Sequence, residues 1–258
     1  MFGRDPEGYD RARLAYPDRV FEILSERCGL RRGAAVFEIG PGTGIATREL
    51  LRHGADPLAL IEPDRRLARY LERTLRSRPG RVRFFRTPFE DAKLPPESFD
   101  LGVAASSFHW APERLALRKI ARALRPGGWW AFWNNHHGDP YRPGAFHRAL
   151  QPLYRELYRS RYLGVYNRAT AERDRRQRLA ALRSVGRFDS VEREDLHWTV
   201  LLPAARVRAL WATFSDTMIL RPTQRRGFLD SVERVAREEF GGKVEIPMLT
   251  PIYTARRR

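Results

Sequence analysis

A glycine-rich turn between a short apolar run and a helical pattern constrains the fold more than any other feature of the sequence. Residues 34–39 are almost entirely apolar and predict a buried strand, while residues 45–52 predict a helix. Between them, Gly40, Gly42 and Gly44 allow backbone torsions that other residues avoid, and they let a ligand lie against the main chain. A strand before the glycines and a helix after them is the context that a ligand-binding loop of this kind requires.

Strand and helix patterns alternate from this turn to residue 133. Strands are predicted at 34–39, 58–61, 82–86, 101–105 and 129–133, and helices at 18–28, 45–52, 64–75 and 112–124. Alternation of this kind favours a parallel sheet with helices on both faces.

The alternation of strand and helix patterns ends after residue 140. Residues 141–185 are predicted to be mostly helical, as a surface insertion or as a cap over the active site. A strand at 190–202, helices at 204–219 and 223–240, and a last strand at 243–255 follow. Pro247 and Pro251 predict that the last strand is an edge strand or irregular. We therefore predict an α/β, Rossmann-like, doubly wound domain over 18–258, with a mostly parallel seven-stranded sheet, a helical insertion at 141–188 after the fifth strand, and an N-terminal arm or lid over 1–17.

The spacing of the glycines and two nearby acids restricts the ligand. Dinucleotide-binding loops read G-x-G-x-x-G and hold a pyrophosphate, whereas this loop reads G-x-G-x-G with Glu38 two residues before it. A carboxylate there would repel a pyrophosphate but would suit a ligand with an ammonium group and no phosphate, such as S-adenosylmethionine. Glu62 ends the second strand and can accept both ribose hydroxyl hydrogen bonds. Its alternative is a surface carboxylate or a cap partner, although Asp64 is better placed to cap the following helix.

Several further segments extend the pattern into a family resemblance. The segments are Phe89-Glu90-Asp91, Leu94-Pro95, Ser98-Phe99-Asp100-Leu101 and Leu124-Arg125-Pro126-Gly127-Gly128. Together with the glycine loop they resemble the class I S-adenosylmethionine-dependent methyltransferases. The segments Tyr9-Asp10-Arg11, Tyr16-Pro17, Ser107-Phe108-His109-Trp110 and Asn134-Asn135-His136-His137 are similar to a small-molecule subgroup related to trans-aconitate methyltransferase. The resemblance covers residues 9–137 and 252–257.

The resemblance implies a cofactor site. Glu38 would face the methionine ammonium group, the glycines would line the methionine and ribose, and Glu62 would hold the ribose hydroxyls. The backbone of Phe89 and the carboxylate of Glu90 would meet the adenine edge, although Pro88 stands where many relatives have Asp and leaves a structural role open for Glu90. The predicted cofactor-binding set is Glu38, Gly40, Pro41, Gly42, Thr43, Gly44, Glu62, Pro63, Phe89, Glu90 and Ser106.

A second group of residues is predicted on the acceptor side. His109 follows the fourth strand and is a candidate general base, or a histidine packed beside the cofactor. Trp110 is expected to pack under the cofactor. His136 and His137 would point to opposite sides of a strand-like segment, which disfavours a shared metal ion, and we expect no metal. The remaining candidates, which belong to a lid or to a frayed terminus, are Tyr9, Arg11 and Tyr16. Arg11 and the arginines of 155–178 could bind a substrate carboxylate.

Net charge and composition limit the classes of substrate and partner that we expect for this chain. The formal net charge is +17, and only three of the 48 basic residues are lysines. The arginines are spread along the chain among acids, which predicts solvated surface charge and a field that favours anionic substrates. The single cysteine, Cys28, excludes an internal disulfide and is expected to be buried. No apolar run reaches ~18 residues and no signal-peptide core is visible, so we expect a cytoplasmic protein that does not span a membrane.

These observations predict an enzyme that transfers the methyl group of S-adenosylmethionine to an O, N or C atom of a small, anionic molecule, with a carboxylate among the candidate acceptors. The alternatives are a tRNA or rRNA methyltransferase, which the net charge supports, and a non-catalytic cofactor-binding protein. An [ND]-P-P-[YF] motif, with which amino-group methylases of nucleic acids hold their target nitrogen, is absent from the sequence. Glu38 and the glycine spacing argue against a nicotinamide dehydrogenase.

Overall fold

A seven-stranded sheet forms the centre of the molecule in a computed structural model that describes residues 2–76, 81–157 and 167–258. The strands are β1 (Ala34–Ile39), β2 (Ala55–Ile61), β3 (Val82–Phe85), β4 (Phe99–Ala105), β5 (Leu124–Trp133), β6 (Phe188–Pro203) and β7 (Lys243–Arg257). Their order across the sheet is β3-β2-β1-β4-β5-β7-β6, and β1 to β5 run parallel. β7 is antiparallel to both β5 and β6. The predicted Rossmann-like, mostly parallel sheet is confirmed.

Helices cover both faces of the sheet. They are α1 (Pro6–Ala12), α2 (Asp18–Glu26), α3 (Ile45–Arg52), α4 (Arg65–Leu75), α5 (Glu113–Ala123), α6 (Ala145–Leu157), α7 (Arg168–Ser184), α8 (Ala204–Trp211), α9 (Ser215–Met218) and α10 (Pro222–Glu238). The insertion predicted at 141–188 contains α6 and α7, while its residues 158–166 lie outside the described part of the chain.

The helix predicted at 204–219 is two helices in the structure. The chain leaves helical geometry at Phe214, which is extended with φ −76° and ψ 141°. Just before it, the Thr213 hydroxyl donates a hydrogen bond of 2.6 Å to the Leu210 carbonyl. Such a side-chain bond to the backbone competes with helix continuation, and the sequence periodicity does not reveal it.

Three apolar clusters hold these layers together. On one face of the sheet, α5 and α7 pack over an aromatic group that contains Phe37, Phe99 and Trp130, where the Phe37 and Phe99 rings lie 5.1 Å apart. On the other face, α2, α3 and α4 contribute apolar side chains, and Cys28 is buried among them as expected. The third cluster lies between α6, α8, α10 and the first half of β7.

The position of β7 corrects the sequence analysis. Pro247 and Pro251 led us to expect an edge strand, yet β7 lies between β5 and β6, and β6 is the edge. The Leu249 amide donates to the His136 carbonyl, away from β6. Because the side to which an amide points alternates along a strand, both prolines also turn their nitrogens away from β6. Their missing N–H groups therefore cost no β6–β7 hydrogen bond, and both prolines precede residues 252–256, which pair with β5.

The contact between β4 and the aromatic cluster yields a stability prediction. A Cβ on Gly102 would lie within 2.6 Å of the Phe37 ring, whereas a Cβ on the exposed Gly227 of α10 would meet nothing within 4 Å. We expect Gly102→Ala to lower the free energy of unfolding by about 1–3 kcal/mol through overpacking. Gly227→Ala should raise it by about 0.5–1 kcal/mol, because alanine is the better helix former. Urea unfolding of both variants checks this, and equal effects of the two substitutions would contradict it.

Candidate functional site

A cleft with a volume of about 980 Å³ opens at the carboxyl ends of the parallel strands. This edge of an open α/β sheet is where ligands bind in such folds. The glycine loop, the ends of β2 and β4, and residues 134–136 after β5 form one side of the cleft. Residues of the N-terminal arm and of α7 also line the cleft, so the segment predicted as an insertion or cap borders it.

The glycine loop lies against the cleft, but its three glycines have different surroundings. Gly40, Gly42 and Gly44 all have positive φ angles, of 64°, 59° and 88°. Gly40 and Gly42 line the cleft together with Pro41 and Thr43. Gly44, which we expected among them, lies outside the lining and precedes α3, where a Cβ would collide with the Leu71 side chain. Gly44 therefore serves the packing of the helix rather than the cleft surface.

Glu62 joins the two loops that border the cleft. Its side chain is buried, with Oε2 accepting a hydrogen bond of 3.0 Å from the Gly42 amide and Oε1 accepting one of 2.9 Å from the Asp64 amide. Burial raises the pKa of Glu62, and the two backbone hydrogen bonds oppose that rise. Asp64 caps α4 by accepting from Arg66 N at 2.8 Å. Burial excludes a surface carboxylate for Glu62, while its hydrogen bond from the Asp64 amide makes it a partner of the residue that caps α4.

Glu38 is a fully buried carboxylate at the floor of the cleft. Its Oε2 accepts a hydrogen bond of 2.6 Å from the Thr47 hydroxyl, while Oε1 has no hydrogen-bond partner among the described residues. Burial raises the pKa of Glu38 to about 7, against the Thr47 hydrogen bond, and the charge of Glu62 adds to the rise. A buried carboxylate oxygen that lacks a donor is the group that a cationic ligand would satisfy.

The remaining predicted cofactor residues also line the cleft, at two other loops. Phe89 is buried and its ring stacks 6.4 Å from Phe37, while Glu90 beside it is exposed. Pro63 follows Glu62 in the lining. Ser106 has a φ of 55°, and its hydroxyl accepts a hydrogen bond of 3.1 Å from the Tyr16 hydroxyl. The carboxyl end of β4 is thereby tied to the arm.

The predicted histidines and Trp110 differ in their positions relative to the cleft. His109 and Trp110 lie in a short 3-10 turn at the cleft mouth, and Trp110 is 67% exposed rather than packed beneath a ligand site. Surrounding protein atoms, and then the charge of Arg178, lower the pKa of His109. His136 lines the cleft, whereas the His137 ring packs 4.7 Å from Phe214 outside it. The two rings diverge as predicted, and the described residues contain no group of three metal-ligating side chains.

The N-terminal arm is docked on the sheet domain. Asp10 accepts hydrogen bonds from Arg48 at 2.9 Å and from the Tyr70 hydroxyl at 3.0 Å. Tyr9 and Tyr16 line the cleft, but Arg11 is exposed outside it. The arginine of the arm that lines the cleft is Arg13, which sequence reasoning missed.

One face of α7 completes the opposite wall. Its cleft-lining residues recur at helical spacing and are Thr170, Arg173, Asp174, Gln177 and Arg178. Arg178 bonds to Glu113 at 2.9 Å, which ties α7 to α5. Sequence analysis pointed only to the arginines of 155–178, and the three-to-four-residue spacing was the signal available for the others. It also missed Asn134, Asn135 and Ser215, which line the cleft from the segment after β5 and from α9.

The sequence between β1 and β5 matches a known family. Residues 37–132 match the family model described as methyltransferase domain. An uncharacterised methyltransferase of Mycobacterium tuberculosis is 32% identical over 127 residues, which cover 49% of this chain and 49% of the relative. A probable S-adenosylmethionine-dependent methyltransferase of Saccharomyces cerevisiae is 28% identical over 162 residues, covering 61% and 54%. The chain thus spans about half the length of these curated relatives.

Solved structures share the fold over nearly the whole chain. A provisionally assigned type II methyltransferase of Anaeromyxobacter dehalogenans superposes with a TM-score of 0.65 at 21% identity, covering 95% of this chain and 97% of that one. A phosphoethanolamine N-methyltransferase of Haemonchus contortus, in complex with S-adenosylhomocysteine, superposes with a TM-score of 0.58 at 15% identity, covering 99% and 57%. The fold is therefore the Rossmann-like fold of class I methyltransferases.

The described residues contain no helix that is both long and apolar enough to cross a membrane. Many arginines form ion pairs, such as Arg27 with Glu192 at 3.0 Å and Arg125 with Asp100 at 2.7 Å. Local pairing of this kind agrees with the reading of the basic residues as dispersed among acids.

The raised pKa of Glu38 predicts a pH-dependent stability difference. Its folded-state pKa of about 7 lies above the ordinary 4.5, so the folded state retains a proton that the unfolded state loses between these values. The contribution of Glu38 to the free energy of unfolding is therefore fully present below pH ~4.5 and is lost as the pH rises to ~7. The ligand-free Glu38→Gln variant should match the parent protein near pH 4 and exceed its free energy of unfolding by about 3 kcal/mol above pH 8. Denaturant titrations across this range measure the difference, and one that stays constant with pH would refute the assignment.

Proposed function

We propose that this protein is an S-adenosylmethionine-dependent methyltransferase that acts on a small molecule. The observation that carries the proposal is the pair of buried carboxylates, Glu38 and Glu62, on either side of the glycine loop. When bound, S-adenosylmethionine supplies an electrophilic methyl group on a sulfonium, so a positioned nucleophile suffices and a metal is not required.

The residues of the cleft fit this cofactor. The free Oε1 of Glu38 would accept from the methionine ammonium group, and the main chain from Gly40 to Thr43 would lie along the methionine and ribose. Glu62 would accept from the ribose hydroxyls with lone pairs that its two backbone bonds leave over. Phe89 and Glu90 would border the adenine.

Glu38 disfavours a dinucleotide. It lines the cleft just before the glycine loop, where a pyrophosphate would have to lie, and Asp64 and Glu90 add negative charge to the lining. A pyrophosphate would be repelled there, while a ligand with a single ammonium group would be attracted.

This ligand preference is testable by calorimetry. We expect the purified protein to bind S-adenosylhomocysteine and not to bind NAD. Glu62→Gln should weaken the binding of S-adenosylhomocysteine about ten- to a hundredfold, because hydrogen bonds to a charged acceptor are lost. The exposed Glu22→Gln removes one carboxylate far from the cleft and should leave the affinity unchanged. Binding of NAD by the parent protein, or equal affinities in the two variants, would overturn the cofactor assignment.

The acceptor half of the cleft has the size and walls for a small molecule. The arm and α7 close it opposite the glycine loop, and the whole cleft of about 980 Å³ is in the range of small-ligand pockets. Tyr9, Tyr16 and the α7 face would limit the access of water to the reacting atoms. The acceptor that we propose is an organic molecule methylated on O, N or C.

We propose that His109 receives the proton when the nucleophile carries one. His109 lines the acceptor side, and its lowered pKa keeps the ring neutral and able to accept a proton at pH 7. For such an acceptor, His109→Gln should lower kcat by about 10²–10⁴-fold and remove the acidic limb of the kcat/KM profile. His53→Gln, a histidine outside the cleft lining, is the matched control. Initial rates from pH 5 to 9 make the measurement, and an unchanged acidic limb in His109→Gln would contradict this role.

An RNA methyltransferase is the second candidate, because the net charge of +17 would favour a polyanion. A gel shift with tRNA and rRNA fragments at increasing salt separates the two candidates. Tight binding that weakens steeply with salt, together with methyl transfer to RNA, would replace the small-molecule acceptor by RNA.

A further inference from the structure

Arg13 has different contacts from the arginines that attach the N-terminal arm and α7 to the rest of the molecule. It ends α1, and its Nη2 donates a hydrogen bond of 3.0 Å to the Thr213 carbonyl. Its guanidinium carbon lies 5.0 Å from the centre of the Tyr9 ring and 5.4 Å from that of Phe214. The cation is thus held between two aromatic rings at the wall of the cleft.

No carboxylate forms an ion pair with Arg13 in the part of the chain that the structure describes. Arg48 and Arg178, by contrast, are each paired with acids. The Nε of Arg13 is buried without a hydrogen-bond partner, and the Nη1 makes no hydrogen bond to any described residue. Asp216 is the acid whose titration Arg13 affects, but it lies outside the cleft lining and accepts its hydrogen bonds from Thr217. A partly buried cation that forms no ion pair favours an anion supplied by a ligand.

The charged residues of the cleft lining come from different elements. Four of its five acids belong to β1 and to the loops after β2 and β3, while the arm and α7 contribute Arg13, Arg173 and Arg178 against the single Asp174. Arg173 is exposed and forms no ion pair within the described residues. The basic residues of the lining therefore come from the arm and α7.

We propose that Arg13 binds an anionic group of the methyl acceptor, so that the acceptor is a small organic oxyanion anchored on the N-terminal arm. This inference rests on the proposed function, because it presumes that the glycine-loop side of the cleft holds the cofactor. The anchored group need not be the atom that receives the methyl group. The Tyr9 and Phe214 rings lie close to the partly buried Arg13, and lower exposure to water strengthens the attraction of a cation for an oxyanion.

The test compares Arg13→Gln with Arg4→Gln, which removes the same charge from an exposed position of the arm outside the cleft lining. The full-length protein is saturated with S-adenosylhomocysteine and titrated calorimetrically with succinate, tricarballylate and glycerol 3-phosphate, and with succinamide as the neutral probe. The same compounds are offered with S-adenosylmethionine, and turnover is followed as release of S-adenosylhomocysteine. The carboxylates and the phosphate distinguish the two kinds of oxyanion.

We expect at least one of the anions to bind and succinamide not to bind. Arg13→Gln should weaken that anion about ten- to a hundredfold, since a charge-assisted hydrogen bond is lost, and should raise its KM rather than lower kcat if it is turned over. Arg4→Gln should stay within about twofold of the parent protein, and Arg13→Lys should recover part of the affinity because it restores the charge.

The outcomes separate the inference from the proposed function. Failure of the parent protein to bind S-adenosylhomocysteine defeats the proposed function itself. If S-adenosylhomocysteine binds, the role of Arg13 is overturned when no probe anion binds, when succinamide binds equally well, or when Arg13→Gln binds anions like Arg4→Gln. Should Arg13→Gln lose affinity for S-adenosylhomocysteine through misfolding, Arg13→Lys decides: affinity for the anion above that of Arg13→Gln supports the anchor, and equal loss in both variants overturns it.

Discussion

The carboxylate of Glu62 is the contact on which the geometry of the cleft depends. Its two oxygens accept from the amides of Gly42 and Asp64, so one side chain holds the loop after β1 and the loop after β2 in a fixed relation. Because β1 and β2 are adjacent and parallel, both loops emerge at the same edge of the sheet. Glu62 can be buried because both of its carboxylate oxygens accept hydrogen bonds. The fixed relation of the two loops in turn sets the geometry of the ligand site.

The elements whose structure is determined by a few neighbouring residues could be predicted closely from the sequence. The strand, turn and helix around Gly40 occupy nearly the predicted residues, because the apolar run, the glycines and the helix pattern each act over a few positions. Glu38 and Glu62 were found for the same reason, since an acid next to a strand end is held at the ligand-binding edge of the sheet. The alternation of strand and helix patterns likewise predicted the parallel direction of β1 to β5.

Contacts between distant segments explain what was missed. The choice of Arg13 over Arg11 depends on how α1 is docked, and Asp10 fixes that docking through Arg48 and Tyr70. The internal position of β7 depends on which way the amides of Pro247 and Pro251 would have pointed, which requires knowledge of both partner strands. The role of Gly44 in packing on Leu71 could not be separated from a role in the loop without the position of α4.

The cleft draws its two sides from different stretches of the chain. Residues 37–132, which match the methyltransferase domain, contain the glycine loop and all four acids of the loop side. The arm, α7 and Ser215 lie outside that stretch and form much of the opposite wall. Under the proposed function, substitutions in these outer segments would change the accepted substrate while leaving the loops held by Glu62 intact. New substrate preferences could then evolve stepwise, at the periphery of an unchanged cofactor site.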